Sequence, residues 1–426
     1  MIARWVGRPS VLAAVTGVLF CSSGGIAAAQ PPPGTVINKA NADQVKDFVS
    51  PGVMWCIQHG LVMKIIPYKK IEWNAPYKEA TEKYSGQVKL APDGRSLEGH
   101  VAGLPFPKID PNDPQVALKI MWNYDYKPFL TDDLDLRNFD ADTGTITDTA
   151  LNVERHFILD HLRVLFYTAR LYVDPKPVLL PNSENVRSKQ SLHPILEPFD
   201  LKGVGATSIR YLDPDRQDDT WLYLPTLRRV RRLSSAQRSD ALFGQDTDVD
   251  SYYGYAGQIP WFTWKFLGDK KIVATFHAEK FPTEYCPGGG DFVYCDNWEA
   301  RDVWVVEGVS KQEQYAYGKR VLFIDKETYF VAYSDIYDKA GQLWKVWLNN
   351  WGFRNKATPS YGETYDSEMP WQSSISMVDT QLTHATRAAL PSAKYPNEQG
   401  WYYNQGPKTG LTEEFFTIAH MIEASH

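Results

Sequence analysis

The stretch Arg301–Trp351, RDVWVVEGVSKQEQYAYGKRVLFIDKETYFVAYSDIYDKAGQLWKVWLNNW, decides the fold class. Within it, Arg301–Ser310, Lys319–Asp325, Thr328–Tyr337 and Gln342–Trp351 are rich in β-branched and aromatic residues, which suit a pleated, half-buried surface. The turns between them are short, as in Asp338–Gly341 (DKAG), and leave no room for crossover helices. The runs therefore read as a meander in one antiparallel sheet, and the chain as mainly β.

Upstream, Arg163–Val173 (RVLFYTARLYV) reads as a strand ended by Pro175. The polar, proline-punctuated segment Pro175–Pro198 reads as a long loop and a candidate boundary. Nearer the start, Asn41–Phe48 is expected to be helical, with Asn41 as N-cap and Gln44 as its reciprocal partner. Pro76–Tyr84 is a second helix, and Asp93-Gly94 is the turn of a hairpin. Pro105, Pro107, Pro111 and Pro114 mark an extended connection. Downstream of Asn355 the composition is mixed, and this segment is expected to wrap the sheet. The organisation that follows is an N-terminal helical and hairpin region (30–160), an antiparallel β body (161–353) and a wrapping segment (354–426), or one domain over 30–426.

The first 29 residues have the pattern of a cleavable export signal: Arg4 and Arg8, a short apolar run Val11–Phe20, and an A-x-A site at Ala27–Ala29. The apolar run is half of the roughly 20 residues a membrane span needs. Cys21 is preceded by the bulky Phe20, which disfavours a lipid-modified cysteine. A periplasmic location, with possible outer-membrane association, is the expectation. Without Arg4 and Arg8 the chain has 43 basic against 51 acidic residues, net −8. That balance argues against a nucleic-acid partner, which calls for a basic surface.

Cys286 and Cys295 close CPGGGDFVYC, whose proline and glycines permit a tight reversal, and in an oxidising compartment they are expected to form a disulfide. A zinc site would need more ligands than this pair supplies. Cys56, in the apolar run MWCI, reads as an inert buried thiol.

The segment Thr220–Gly257 is the most distinctive. Tyr223-Leu224-Pro225, the basic run Arg228–Arg232, and Gly244-Gln245-Asp246 leading to Tyr255 resemble the LolA-like (outer-membrane lipoprotein-sorting) superfamily. With AGLPFP at 102–107, KIMWN at 119–123 and YDKAGQLWKV at 337–346, the chain is similar to one uncharacterised exported family within that group. The resemblance implies a large curved antiparallel sheet, an incomplete β-barrel, with covering helices over an apolar cavity. It implies a periplasmic carrier or binding protein for lipid or another hydrophobic small molecule. The alternative is an envelope scaffold partnering an inner-membrane export pump of the resistance-nodulation type or an outer-membrane protein.

Strand alternation puts Trp221 and Tyr223 on one face and Leu222 and Leu224 on the other. If the strand continues past Pro225, Arg228 and Arg232 oppose Arg229 and Arg231; such arginines can clamp an anionic head group or pair with Asp246, Asp248 and Asp250. Trp261, Phe262, Trp264 and Phe266 crowd QIPWFTWKFL, as a cavity wall, a docking patch or core. No G-x-S-x-G, H-E-x-x-H or phosphate-loop motif occurs, so no enzyme is expected, and no cofactor. RHFILDH offers His156, Asp160 and His161 as a weak metal constellation, with His161 turned away from His156 if the segment is helical.

Overall fold

The computed structural model describes residues 30–234, 237–281, 283–355, 367–395 and 400–425. The export-signal pattern, Cys21 included, lies outside the described residues. No helix among those described is long and apolar enough to cross a membrane.

Three helices precede the main sheet: α1 (Pro51–Gln58), α2 (Ala75–Tyr84) and α3 (Val116–Asp125). Pro at the first turn starts α1, and the Ser50 hydroxyl caps it by accepting from the Val53 amide. The helix expected over 41–48 is instead a 3₁₀ turn over Lys39–Val45, capped by Asn38 with Asn41 reciprocating. The Asp93-Gly94 hairpin forms, pairing Lys89–Leu90 with Leu97–Glu98.

The sheet is built from two sequential meanders. The first comprises β1 (Asp133–Ile146), β2 (Leu151–Phe166), β3 (Val186–Leu192), β4 (Gly205–Tyr211), β5 (Asp219–Leu224) and β6 (Arg229–Leu233). The second comprises β7 (Phe262–Ala274), β8 (Asn297–Ser310), β9 (Lys319–Asp325), β10 (Val331–Tyr337), β11 (Leu343–Arg354), β12 (Met369–Asp379) and β13 (His384–Ala389). Each strand pairs antiparallel with its sequence neighbour within its meander. One non-sequential seam, β1 with β13, joins the two, with Asp140 opposite Ala389 and Thr145 opposite His384. With short flanking strands, such as Met63–Ile65 running parallel to the start of β8, the sheet reaches 17 strands. It is open: β6 and β7 are the free edges, and Ser234–Trp261 connects them.

Several expectations change in detail. Pro175–Pro198 contains β3 and Ile195–Glu197, both paired to β2. The polar sequence VRSKQSL conceals a strand whose hydrogen bonds are made on both sides. The strand expected over 163–173 starts earlier, at Leu151, and ends at Phe166. RHFILDH is therefore strand, not helix. Beyond Asn355, Met369–Asp379 and His384–Ala389 complete the sheet, while α4 (Ile418–Glu423) lies across β4 and β5.

Apolar residues of both meanders form one main core, including Val306, Leu322, Ile324, Val331, Trp347 and Ile375. α1 packs on one face of β10 and β11. Its Gly52 sits so close that a Cβ there would fall 2.2 Å from the Val346 side chain. The Ser50 hydroxyl (2.7 Å) and the Gly52 amide (3.1 Å) donate to the Asp335 carboxylate.

Candidate functional site

The connection between the two sheet edges does not hang in solvent. It crosses the sheet and is stitched to it strand by strand. Arg238, 8% exposed, donates to Asp250 (2.6 Å), Asp218 (3.1 Å) and the Ala256 carbonyl (3.1 Å). Arg210 of β4 donates to the same Asp218 and Ala256 carbonyl. The Asp250 carboxylate also accepts from the Tyr315 hydroxyl, and Asp248 accepts from Tyr317 and Ser251. Arg320 of β9 donates to the Gly254 carbonyl, and Lys345 of β11 to the Asp246 carbonyl. Asp246 is held by His384 and Thr386 of β13. Burial raises the Asp248 pKa, while the hydrogen bond from His384 to Asp246 raises that of the imidazole.

These acids are buried, Asp246 against β13 and Asp248 and Asp250 against the β8–β9 connection and residues of the crossing segment itself. They do not neutralise the basic run, as one reading of the sequence allowed. The strand does not continue past Pro225 into that run: a turn over Pro225–Leu227, with Arg228 in the left-handed region (φ 47°), separates the two. β5 and β6 thereby form a hairpin with Trp221 opposite Arg232 and Leu222 opposite Arg231. Arg228, Arg229, Arg231 and Arg232 are exposed, and Arg232 pairs with Asp219. Leu222 and Leu224 pack on the main core. Tyr223 is buried and pairs with Gly205, whose α-carbon faces Met421 of α4; half-buried Trp221 shares that face.

Trp261, Phe262 and Trp264 are buried in the main core. Phe262 and Trp264 stack at 5.3 Å, and Tyr255 meets both edge-on. Phe266 is half-buried against Trp304. Cys286 and Cys295 are disulfide-bonded, and Cys56 is a buried free thiol. His156 and His161 each face a carboxylate at 2.8 Å, Asp142 and Asp135 respectively. Among the described residues no group of three or more His, Cys, Asp or Glu side chains is placed to hold a metal ion.

Where the crossing segment reaches Gln258–Pro260, a cleft of about 480 Å³ opens between α3, the 89–98 hairpin and the ends of β3 and β4. Its walls are chiefly apolar, with Leu97, Trp122, Tyr126, Val178, Tyr211 and Ile259 prominent. Arg187 lies over the Tyr126 ring at 4.3 Å. Three wall atoms, Trp122 Nε1, Thr168 Oγ1 and Arg187 Nε, make no hydrogen bond. Burial holds His100, also in the wall, down at about 4, so it is neutral at pH 7. A mostly apolar concavity with a few polar groups suits a small hydrophobic or amphipathic molecule. Of these residues Gln258–Pro260 and Trp122 lie in stretches that the sequence brings forward, QIPWFTWKFL and KIMWN, but as separate motifs. The others come from separate elements, and no local pattern links them.

Residues 36–421 match the family described as "Protein of unknown function (DUF1329)". An uncharacterized protein of Pseudomonas aeruginosa is 25% identical over 361 residues, 80% of this chain and 72% of that protein. Among solved structures, a domain described as an outer membrane lipoprotein-sorting protein from Vibrio parahaemolyticus is 18% identical, with 73% of this chain and 100% of that chain covered and a TM-score of 0.47. A DUF1329 family protein from Desulfovibrio piger is 13% identical over 68% of this chain and 92% of that chain, TM-score 0.43. A LolA superfamily protein from Nitrosomonas europaea is 16% identical over 71% of this chain and 98% of that chain, TM-score 0.40.

Proposed function

The chain belongs to the DUF1329 family, described as proteins of unknown function, and from that premise we propose that it is an envelope binding or carrier protein for a lipid or another hydrophobic small molecule. The observation that carries the reading is the apolar cleft of about 480 Å³. That volume is within the range of small-molecule sites, and its aromatic and aliphatic walls would remove a ligand's apolar body from water. A periplasmic setting is supported by the export pattern in Met1–Ala29 and by the Cys286–Cys295 disulfide, a bond that persists in oxidising compartments. Because the crossing segment covers the face of the sheet that it packs on, cargo on that side is placed in the cleft at its end.

The face covered by the crossing segment supports a second reading, an envelope scaffold that partners an export pump or an outer-membrane protein and carries no ligand. Native mass spectrometry of the protein purified from the periplasm, followed by lipid extraction, separates the two. The carrier reading expects a stoichiometric bound lipid, and expects Val178→Trp, which fills the cleft, to lower uptake of a fluorescent fatty acid at least tenfold with an unchanged melting temperature. Empty protein that takes up neither fluorescent fatty acid nor phospholipid would overturn it in favour of the scaffold.

A further inference from the structure

We propose that one end of the sheet docks on an anionic lipid surface, through the turn that precedes β4 and the turn that joins β5 to β6. The two turns are neighbours by strand pairing. Gly205, at the start of β4, lies opposite Tyr223 near the end of β5, and a Cβ on Gly203 would sit 3.1 Å from the Pro225 ring. The first turn presents Phe199 at 93% exposure, followed by exposed Lys202. The second presents Leu227 at 51% exposure, followed by exposed Arg228 and Arg229, with Arg231 further along the free edge.

Cations outnumber acids at this end: Glu197 pairs with Lys394, and Glu423 of α4, exposed and two residues from the Ser425 that meets Gly203, stands against Lys202, Arg228, Arg229 and Arg231. Of the nearby acids, Asp200 pairs with Arg155 and Asp219 pairs with Arg232. Arg228, Arg229, Arg231 and Lys202 have no acidic partner within ion-pair distance among the described residues. A cationic tip on a chain of net charge −6 overall is complementary to an anionic bilayer and not to the protein's own surface. Arginines on a free edge also deter edge-to-edge strand pairing. That role alone gives no reason for Phe199 and Leu227 to stand in water beside them, whereas interfacial docking uses both kinds of residue, apolar side chains entering the acyl boundary and cations meeting the head groups. The docking end is remote from the cleft: the tip adjoins the first residue of β4, and Arg210, Tyr211 and Leu212 line the cleft at its far end. A docked molecule would keep its cleft open to the aqueous side, so the inference stands independently of what the cleft holds.

The test is co-sedimentation of the full chain, freed of its signal segment, with vesicles of phosphatidylcholine alone or mixed 3:1 with phosphatidylglycerol. Binding is expected to the anionic vesicles only, and to fall as salt is raised. The pair Arg228→Gln and Arg229→Gln is expected to weaken it about thirtyfold, roughly a factor of five per cation. Phe199→Ser with Leu227→Ser should weaken binding to the same vesicles while leaving the melting temperature unchanged, since both side chains are already exposed. Failure of the unaltered protein to sediment with anionic vesicles, or binding by either double variant as tight as that of the unaltered protein, would overturn the proposal. Capture of an acidic protein without vesicle binding would overturn it as well.

Discussion

Asp335 shows how one buried side chain can make stability depend on pH. Burial beneath α1 raises its pKa to about 6, against the opposing hydrogen bonds from Ser50 and Gly52. A carboxyl raised in the folded state favours folding while protonated. Its contribution is fully present below the ordinary aspartate value near 3.8 and is lost as pH rises through about 6. A shift of about two units corresponds to about 3 kcal/mol. Asp335→Asn removes the titration while keeping an acceptor for Ser50 or Gly52. Urea unfolding of both proteins at pH 7.5 and at pH 3.5 should show the balance moving toward the wild type by about that amount at the lower pH. A difference between the two proteins that stays constant with pH would reject an ionised, buried Asp335.

At the scale of elements, the segment between β6 and β7 is secured mainly by charged hydrogen bonds. Arg238→Met leaves Asp250 and Asp218 with fewer donors in a buried setting, and losing one partner of such a network costs about 3 kcal/mol or more. The expected outcome is a lowered melting temperature with protease cleavage appearing first between Ala241 and Gly257. Cleavage confined to other loops would show that the segment is held by its aromatic residues instead. This element also marks how far the sequence could be read. β8 to β11 were legible because Val, Ile, Phe and Trp alternate between short turns. β1 and β12 were not, because their sequences, DLDLRNFDADTGTI and MPWQSSISMVD, carry polar residues that meet polar partners across strands, as Thr143 meets Thr386 and Asn350 meets Ser374. Asp246, Asp248 and Asp250 look solvated in sequence for the same reason. Their Tyr and His partners lie far along the chain, Tyr317 69 residues from Asp248 and His384 138 from Asp246, and one-dimensional spacing carries no trace of them. The cleft was hidden similarly, since its walls come from α3, the 89–98 hairpin, β3, β4 and Gln258–Pro260.

For the whole molecule, the β1–β13 seam is decisive, because every other principal pairing is between sequence neighbours. A chain ending at Arg354 would retain most of both meanders yet lack β12 and β13. It would leave β1 and β11 with bare hydrogen-bonding edges. Such a chain is expected to unfold without a cooperative transition and to aggregate, as near-ultraviolet circular dichroism and light scattering would show; a cooperative melt would mean that the meanders are independently stable. The seam also sets an order of events in time. Local hairpins can form as each strand becomes available, but Asp140 must wait for Ala389, and contacts so distant along the chain form slowly. During that wait β1 presents an open edge to every other chain nearby, which puts the hazard of mispairing in the interval before β13 arrives.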